Sequence, residues 1–258
     1  IGFSKTFTNN MDQAATGNSF GYSVNICDDN GYIITGKVFN TTSNTSYDIR
    51  VIKTDSNGVA DSGFGDTAPK DGSATVNIGD TAVENDAGYY AIETDGGDYV
   101  VVGEMRSTNG NSQMFIAKLD NTGILSTDFG QDYGADGTVD GYNKDIGGSL
   151  DESAKFVQET SDGGFIMVGN SFSNGSGQSD IYVVKVNSAG IKVWDKYIGS
   201  NRNDFANAVQ QTSDGGFVIV GNTFGDSSNI MVIKILPNTQ GEIEWQYSMD
   251  GGYDDVGY

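Results

Sequence analysis

The chain has 258 residues and a formal charge of −21, with no histidine, one cysteine and two prolines. Such acidity repels the phosphates of nucleic acid, and without histidine there is no Ser-His-Asp or Cys-His nucleophile and no metal held through imidazole. A lone cysteine cannot form an internal disulfide, and the absence of any run of 18 apolar residues excludes a membrane-spanning helix.

Four leucines stand against 41 valines and isoleucines, with 26 phenylalanines and tyrosines and 37 glycines. β-branched and aromatic residues suit a pleated, half-buried surface, and glycine with asparagine supplies the turns. The expectation is an all-β protein.

In chain order, Ile1–Phe7 comes first and matches the segment Val193–Ile198 far downstream. A first unit follows, with a strand at Tyr22–Cys27, the turn Asp29-Asn30-Gly31, a strand through Tyr32-Ile33-Ile34-Thr35-Gly36, and one at Ile49–Lys53 before Asp55-Ser56-Asn57-Gly58. The second unit carries Asp95-Gly96-Gly97-Asp98-Tyr99 through Gly103, then Met114–Lys118 and Asp120-Asn121-Thr122-Gly123. The third has Thr160-Ser161-Asp162-Gly163-Gly164-Phe165 through Gly169, then Ile181–Lys185, Asn187-Ser188-Ala189-Gly190 and a strand bearing Trp194. The fourth repeats it as Thr212-Ser213-Asp214-Gly215-Gly216-Phe217 through Gly221, then Ile230–Lys234, Asn238-Thr239-Gln240-Gly241 and Trp245. The closing glycines Gly36, Gly103, Gly169 and Gly221 are 67, 66 and 52 residues apart.

Each unit therefore reads as four short strands joined by Asp-Gly and Asn-Gly hairpins. A lone meander cannot bury both faces, so the units must stack; four strands per repeat is the pattern of a β-propeller blade. Unit boundaries fall at 8–60, 61–126, 127–194 and 195–245, with a partial unit at 246–258. The longer first two units carry insertions at Asp61–Asp86 and Asp128–Leu150.

The Asp-Gly-Gly-Phe/Tyr…Gly, Asp-Ile-x-Val-x-Lys and Trp-x-Lys-x-x-Gly succession resembles the repeat of bacterial secreted β-propeller proteins. Ala60-Asp61-Ser62-Gly63-Phe64-Gly65 and Leu125-Ser126-Thr127-Asp128-Phe129-Gly130 are similar to the Leu-Asp-x-Ser-Phe-Gly repeat of a related family. The resemblance implies an all-β propeller of four-stranded antiparallel blades: four complete repeats plus a partial one, either a ring or part of a larger ring. It implies a secreted or surface address and no shared chemistry.

Several residues invite a functional reading. The lysines Lys53, Lys118, Lys185 and Lys234 would form a cationic ring, or pair with nearby acids as repetition once per blade favours. Asp29, Asp95, Asp162 and Asp214 would bind a metal, or accept backbone N–H bonds in their turns. Asp128, Asp132, Asp136 and Asp140, spaced every four residues, and Asp250, Asp254 and Asp255 near the C-terminus form acidic loops whose oxygens suit Ca²⁺. Tyr89, Tyr90, Tyr133, Tyr142 and Tyr253, read as exposed, would stack on sugars in a lectin pocket, or pack. Cys27 reads as a small buried apolar residue.

The expected function is a non-enzymatic extracellular or cell-surface module for structure, adhesion or assembly, with Ca²⁺ as the one candidate ion. The alternative is a carbohydrate-active enzyme or lectin on the same scaffold. The expected partner is a protein or glycan at the cell surface, with neither nucleic acid nor a membrane span. The surplus strand at Ile1–Phe7 either belongs to an adjacent blade or adds to a neighbouring subunit's sheet edge.

Overall fold

In the computed structural model the described residues are 18–40, 46–78, 85–106, 110–133, 139–175, 178–224, 228–237 and 240–249. They form sixteen strands and no helix. The first sheet holds β1 (Ser19–Ile26), β2 (Tyr32–Asn40), β3 (Ser46–Thr54) and β4 (Ser73–Val76). The second holds β5 (Ala87–Glu93), β6 (Tyr99–Arg106), β7 (Ser112–Leu119) and β8 (Tyr142–Ile146). The third holds β9 (Glu152–Glu159), β10 (Phe165–Ser171), β11 (Asp180–Val186) and β12 (Lys192–Ile198). The fourth holds β13 (Asp204–Gln211), β14 (Phe217–Phe224), β15 (Ser228–Ile235) and β16 (Ile243–Met249). All pairings are antiparallel and every sheet is a meander in chain order. The all-β expectation, with four blade-like sheets, therefore holds. Ile1–Phe7 and residues 250–258 lie outside the described residues, and residues 246–249, read as the start of a partial unit, instead continue β16 of the fourth sheet.

Every sheet ends later in the chain than the unit boundary read for it, with β12 and β16 running past residues 194 and 245. β4 and β8, which complete the first and second sheets, fall inside the segments read as insertions. The strand that lies outermost in sequence is thus four or five residues long and lacks tryptophan in these two sheets.

Consecutive sheets pack face to face through three apolar clusters, one per seam. Ile33, Ile49 and Val51 of the first sheet meet Ala91, Val101 and Ala117 of the second. Val100, Val102 and Ile116 on the second sheet's other face meet Val157, Met167 and Val184. Ile166, Val168 and Val183 in turn meet Val209, Ile219 and Ile233. These strands are apolar on both sides because each interior sheet serves two seams, which is why they read as continuous runs rather than as alternation.

Each seam carries the same aromatic staple. Phe64, Phe129 and Trp194 each reach across to the next sheet, edge-to-face or tilted against Tyr99, Phe165 and Phe217 with ring centroids 5.5, 6.0 and 6.2 Å apart. Each ring lies over the left-handed turn glycine of that next sheet: a Cβ on Gly123, Gly190 or Gly241 would sit 3.1, 2.6 or 2.8 Å from it. A polar latch runs the other way. Glu93, Glu159 and Gln211 accept the backbone N–H of Asp28, Asp95 and Ser161 in the preceding sheet's hairpin turn, at 2.6, 2.8 and 2.9 Å.

Candidate functional site

The residues richest in chemistry sit at the hairpin between the first two strands of each sheet. The turn residue at φ > 0 is Asn30, Gly97, Gly163 or Gly215, with φ of 63°, 81°, 75° and 82°. Lysine reaches that turn from the third strand. Lys53 donates to Asp29 at 2.5 Å, Lys185 to Asp162 at 3.0 Å and Lys234 to Asp214 at 2.8 Å. Aspartate closes the loop by accepting the N–H of Gly31, Gly164 or Gly216 at 2.7, 3.1 and 3.0 Å. The ammonium occupies the space a side chain on that glycine would need.

The second sheet does this differently. There Asp98 stands where the others have glycine, and Asp98, not Asp95, pairs with Lys118 at 3.1 Å. Asp95 instead offers its N–H to Glu159. Lys118 also pairs with Asp128 at 3.3 Å.

Charge follows this geometry. Burial pushes Asp162 up, but the Thr160 hydroxyl, the Gly164 N–H and Lys185 together outweigh it and hold the carboxyl down at about 2. The Lys53 ammonium holds Asp29 below the usual carboxylate range, and that of Lys234 does the same for Asp214. The lysines are thus paired with acids of their own units rather than presented as a free cationic ring.

A second constellation was hidden in the sequence. In every sheet the first strand bulges opposite the closing glycine, leaving Tyr22, Tyr89, Lys155 and Asn207 out of the pairing. Only glycine fits there, because a Cβ on Gly36, Gly103, Gly169 or Gly221 would overlap the carbonyl of Phe20, Ala87, Ser153 or Phe205. Bulges re-aim side chains, and successive first strands are neighbours, so the re-aimed groups meet. Tyr22 and Tyr89 touch edge to face at 5.0 Å, and the Lys155 ammonium lies 3.6 Å from the Tyr89 ring centroid. The Tyr89 hydroxyl donates to Glu104 Oε1 at 2.8 Å. Burial pushes Lys155 down, with Glu104 opposing, while burial and the Glu104 carboxylate push the Tyr89 phenol up. Tyr89 therefore keeps its proton, and the row offers rings, an ammonium and hydrogen bonds rather than an acid–base pair.

The acidic loop resolves into separate acids. Asp128 accepts from the Ser126 hydroxyl at 2.5 Å besides pairing with Lys118, and Asp140 accepts the Tyr133 N–H at 2.7 Å. Asp132 is exposed. Asp136, Asp250, Asp254 and Asp255 lie outside the described residues, among which no group of three or more acids or cysteine is placed to hold a metal ion. The tyrosines read as exposed are largely packed. Tyr142 is buried and stacks on Tyr133 at 5.4 Å, and Tyr90 lies 4.3 Å from the Phe156 ring. Tyr253 is outside the described residues. Cys27 is buried, and burial pushes its thiol up to about 12.

No protein-family model matches the chain, and no curated protein does. Among solved structures it is similar to the tail fiber of Staphylococcus aureus phage P68, at 11% identity and a TM-score of 0.37. The match covers 92% of this chain and 40% of that one, so the chain spans less than half of that structure's length. A superposition that loose does not identify a fold. Among the described residues no helix is long and apolar enough to cross a membrane.

Proposed function

We propose that the chain is a propeller-type blade array that works outside the cell or at its surface as a non-enzymatic structural and interaction module. The observation that carries this reading is where the repeat spends its charge. Lysine and aspartate recur at hairpins in all four sheets, and in each the lysine pairs with an aspartate at the hairpin of its own sheet. Repeated charge of this kind builds a scaffold rather than one reaction centre. The −21 charge, the absence of histidine and the single buried cysteine are compatible with the extracellular address.

The Tyr22–Tyr89–Lys155 row favours one second reading, a lectin, since rings flanked by an ammonium and a carboxylate suit a hydroxylated ligand. A glycosidase and esterase substrate panel run beside a glycan array separates the readings. No turnover and no glycan signal are expected. Turnover that disappears on substituting a carboxylate of the chain would overturn the scaffold reading, and a glycan signal lost in Tyr89→Ala would establish the lectin.

A further inference from the structure

The seams repeat so closely that the two ends of the array can be compared with them position by position. Val24 of the first sheet corresponds to Ala91, Val157 and Val209, which are buried against a preceding sheet; Val24 is 61% exposed. Ile34 corresponds to the fully buried Val101, Met167 and Ile219, and Ile52 to the fully buried Ala117, Val184 and Ile233, yet both are only half-buried. Ile26 stands where Glu93, Glu159 and Gln211 form their latches, and it is 74% exposed. Gly58 is the counterpart of Gly123, Gly190 and Gly241, with the same left-handed turn at φ 71°, but a Cβ there would meet nothing within 4 Å. Apart from the latch acceptor, the first sheet thus carries the receiving half of a seam, with no sheet packed on it among the described residues.

The fourth sheet carries the other half. Val218, Val220, Ile230 and Val232 correspond to residues that are fully buried in each of the second and third sheets, and all four are half-buried. Trp245 pairs with Lys234 as Trp194 does with Lys185, so it is the fourth staple, half-buried with only Tyr247 as a ring neighbour among the described residues.

From this match we infer that the fourth sheet of one chain docks on the first sheet of a second copy. Trp245 lies over the partner's Gly58 and against its Tyr32, and the seam becomes the fourth of its kind. The occupant follows from continuity with the three seams already built: the face that fits the socket is one this chain itself presents. The contact is heterologous, two different patches meeting head to tail. Two features set it apart from the internal seams. It lacks the polar latch, because Ile26 replaces the acceptor, and it brings together chains of charge −21, so it tightens as salt screens their repulsion. The inference deepens the scaffold reading by naming its partner. A chain that stays single would leave that reading standing, whereas enzymatic turnover would remove the reading and leave the contact.

Complementary blocking tests the contact with the 258-residue chain. Sedimentation velocity should show oligomers that grow with protein concentration and more strongly at 1 M than at 0.05 M salt, with Trp245 fluorescence shifting to the blue. A socket-blocked chain, Val24→Asp with Gly58→Asn, and a plug-blocked chain, Trp245→Ala with Tyr247→Asp, should each run as monomers. Asparagine is chosen because it tolerates a left-handed turn, and Ile26→Asp alone replaces the socket pair should the latter lose its β circular dichroism. Mixed, the two blocked chains hold one intact socket and one intact plug, and should form a two-chain particle and nothing larger. A wild-type monomer at every concentration and salt, whether free or closed on itself, overturns the inference. So does assembly that survives either block, or a mixture that stays monomeric.

Discussion

Cutting the Lys185–Asp162 pair from its two sides should give unequal losses. The Lys185 side chain is 7% exposed and Asp162 65% exposed. Asp162→Ala leaves a buried ammonium with one remaining acceptor, the Val186 carbonyl at 2.9 Å, and also removes the bonds from the Thr160 hydroxyl and the Gly164 N–H. Stranding a fully buried charge costs about 3–5 kcal/mol; with its partner mostly in water, about 2 is a fair share here, and the turn bonds add about 1. Lys185→Met keeps the apolar stem and leaves Asp162 to water and its turn donors, at under about 1 kcal/mol. In a domain of this size about 3 kcal/mol is roughly 6–12 °C of melting temperature, and 1 kcal/mol no more than about 4 °C. Melting followed by circular dichroism and by fluorescence of Trp194, in the same sheet, reads both global and local loss. Adding Lys185→Met to Asp162→Ala should recover about 2 kcal/mol, because the stranded charge is gone. A Lys185→Met variant as damaged as Asp162→Ala, or a double variant worse than either, would refute the reasoning.

The same carboxylate sets a pH signature. Its folded pKa lies near 2, below the ordinary 3.8, so its contribution is present above pH 4 and is lost as pH falls towards 2; the melting-temperature gap between wild type and Asp162→Asn should be constant above pH 5 and close over that window. At the bulge, Gly169→Ala must displace the Ser153 carbonyl and should cost more than about 3 kcal/mol in urea denaturation. Gly163→Asn, at φ 75° with open space around it, should cost under about 1 kcal/mol, as Asn30 already holds that place in the first sheet. A calcium chelator should leave the melting curve unmoved, since Asp128 and Asp140 are already engaged; a drop reversed by added Ca²⁺ would instead assign an ion to the acidic loops.

The four sheets were legible because a hairpin needs its turn chemistry, and Asp-Gly-Gly, or Asp-Asn-Gly in the first unit, followed by an apolar run announces it. The outer strands of the first two sheets were not, since Ser73–Val76 and Tyr142–Ile146 are short and lack the tryptophan that marked Trp194. That tryptophan's task passes in these sheets to Phe64 and Phe129, which precede the outer strand rather than sit in it, so position in the chain hid the equivalence. Asp95 was aligned by its Asp-Gly-Gly spelling, yet backbone register puts Asp98 beside lysine. The bulge row was invisible for a simpler reason: Tyr22, Tyr89, Lys155 and Asn207 share a conformation but span three residue types. The closing glycine was visible, although a glycine in a strand does not say which backbone crosses it.

Because each seam is made by two adjacent sheets with the same staple and the same apolar positions, nothing in a seam counts how many sheets come before or after it. The near-identical stretches Thr160–Asn170 and Thr212–Asn222 are 52 residues apart, the length of one whole unit. A recombination that slips by that length removes or duplicates one unit and rejoins a plug to a socket without altering a single contact type. The length of the array can therefore change in whole steps with the chemistry of each seam preserved, which makes span a trait separable from the packing of any one seam.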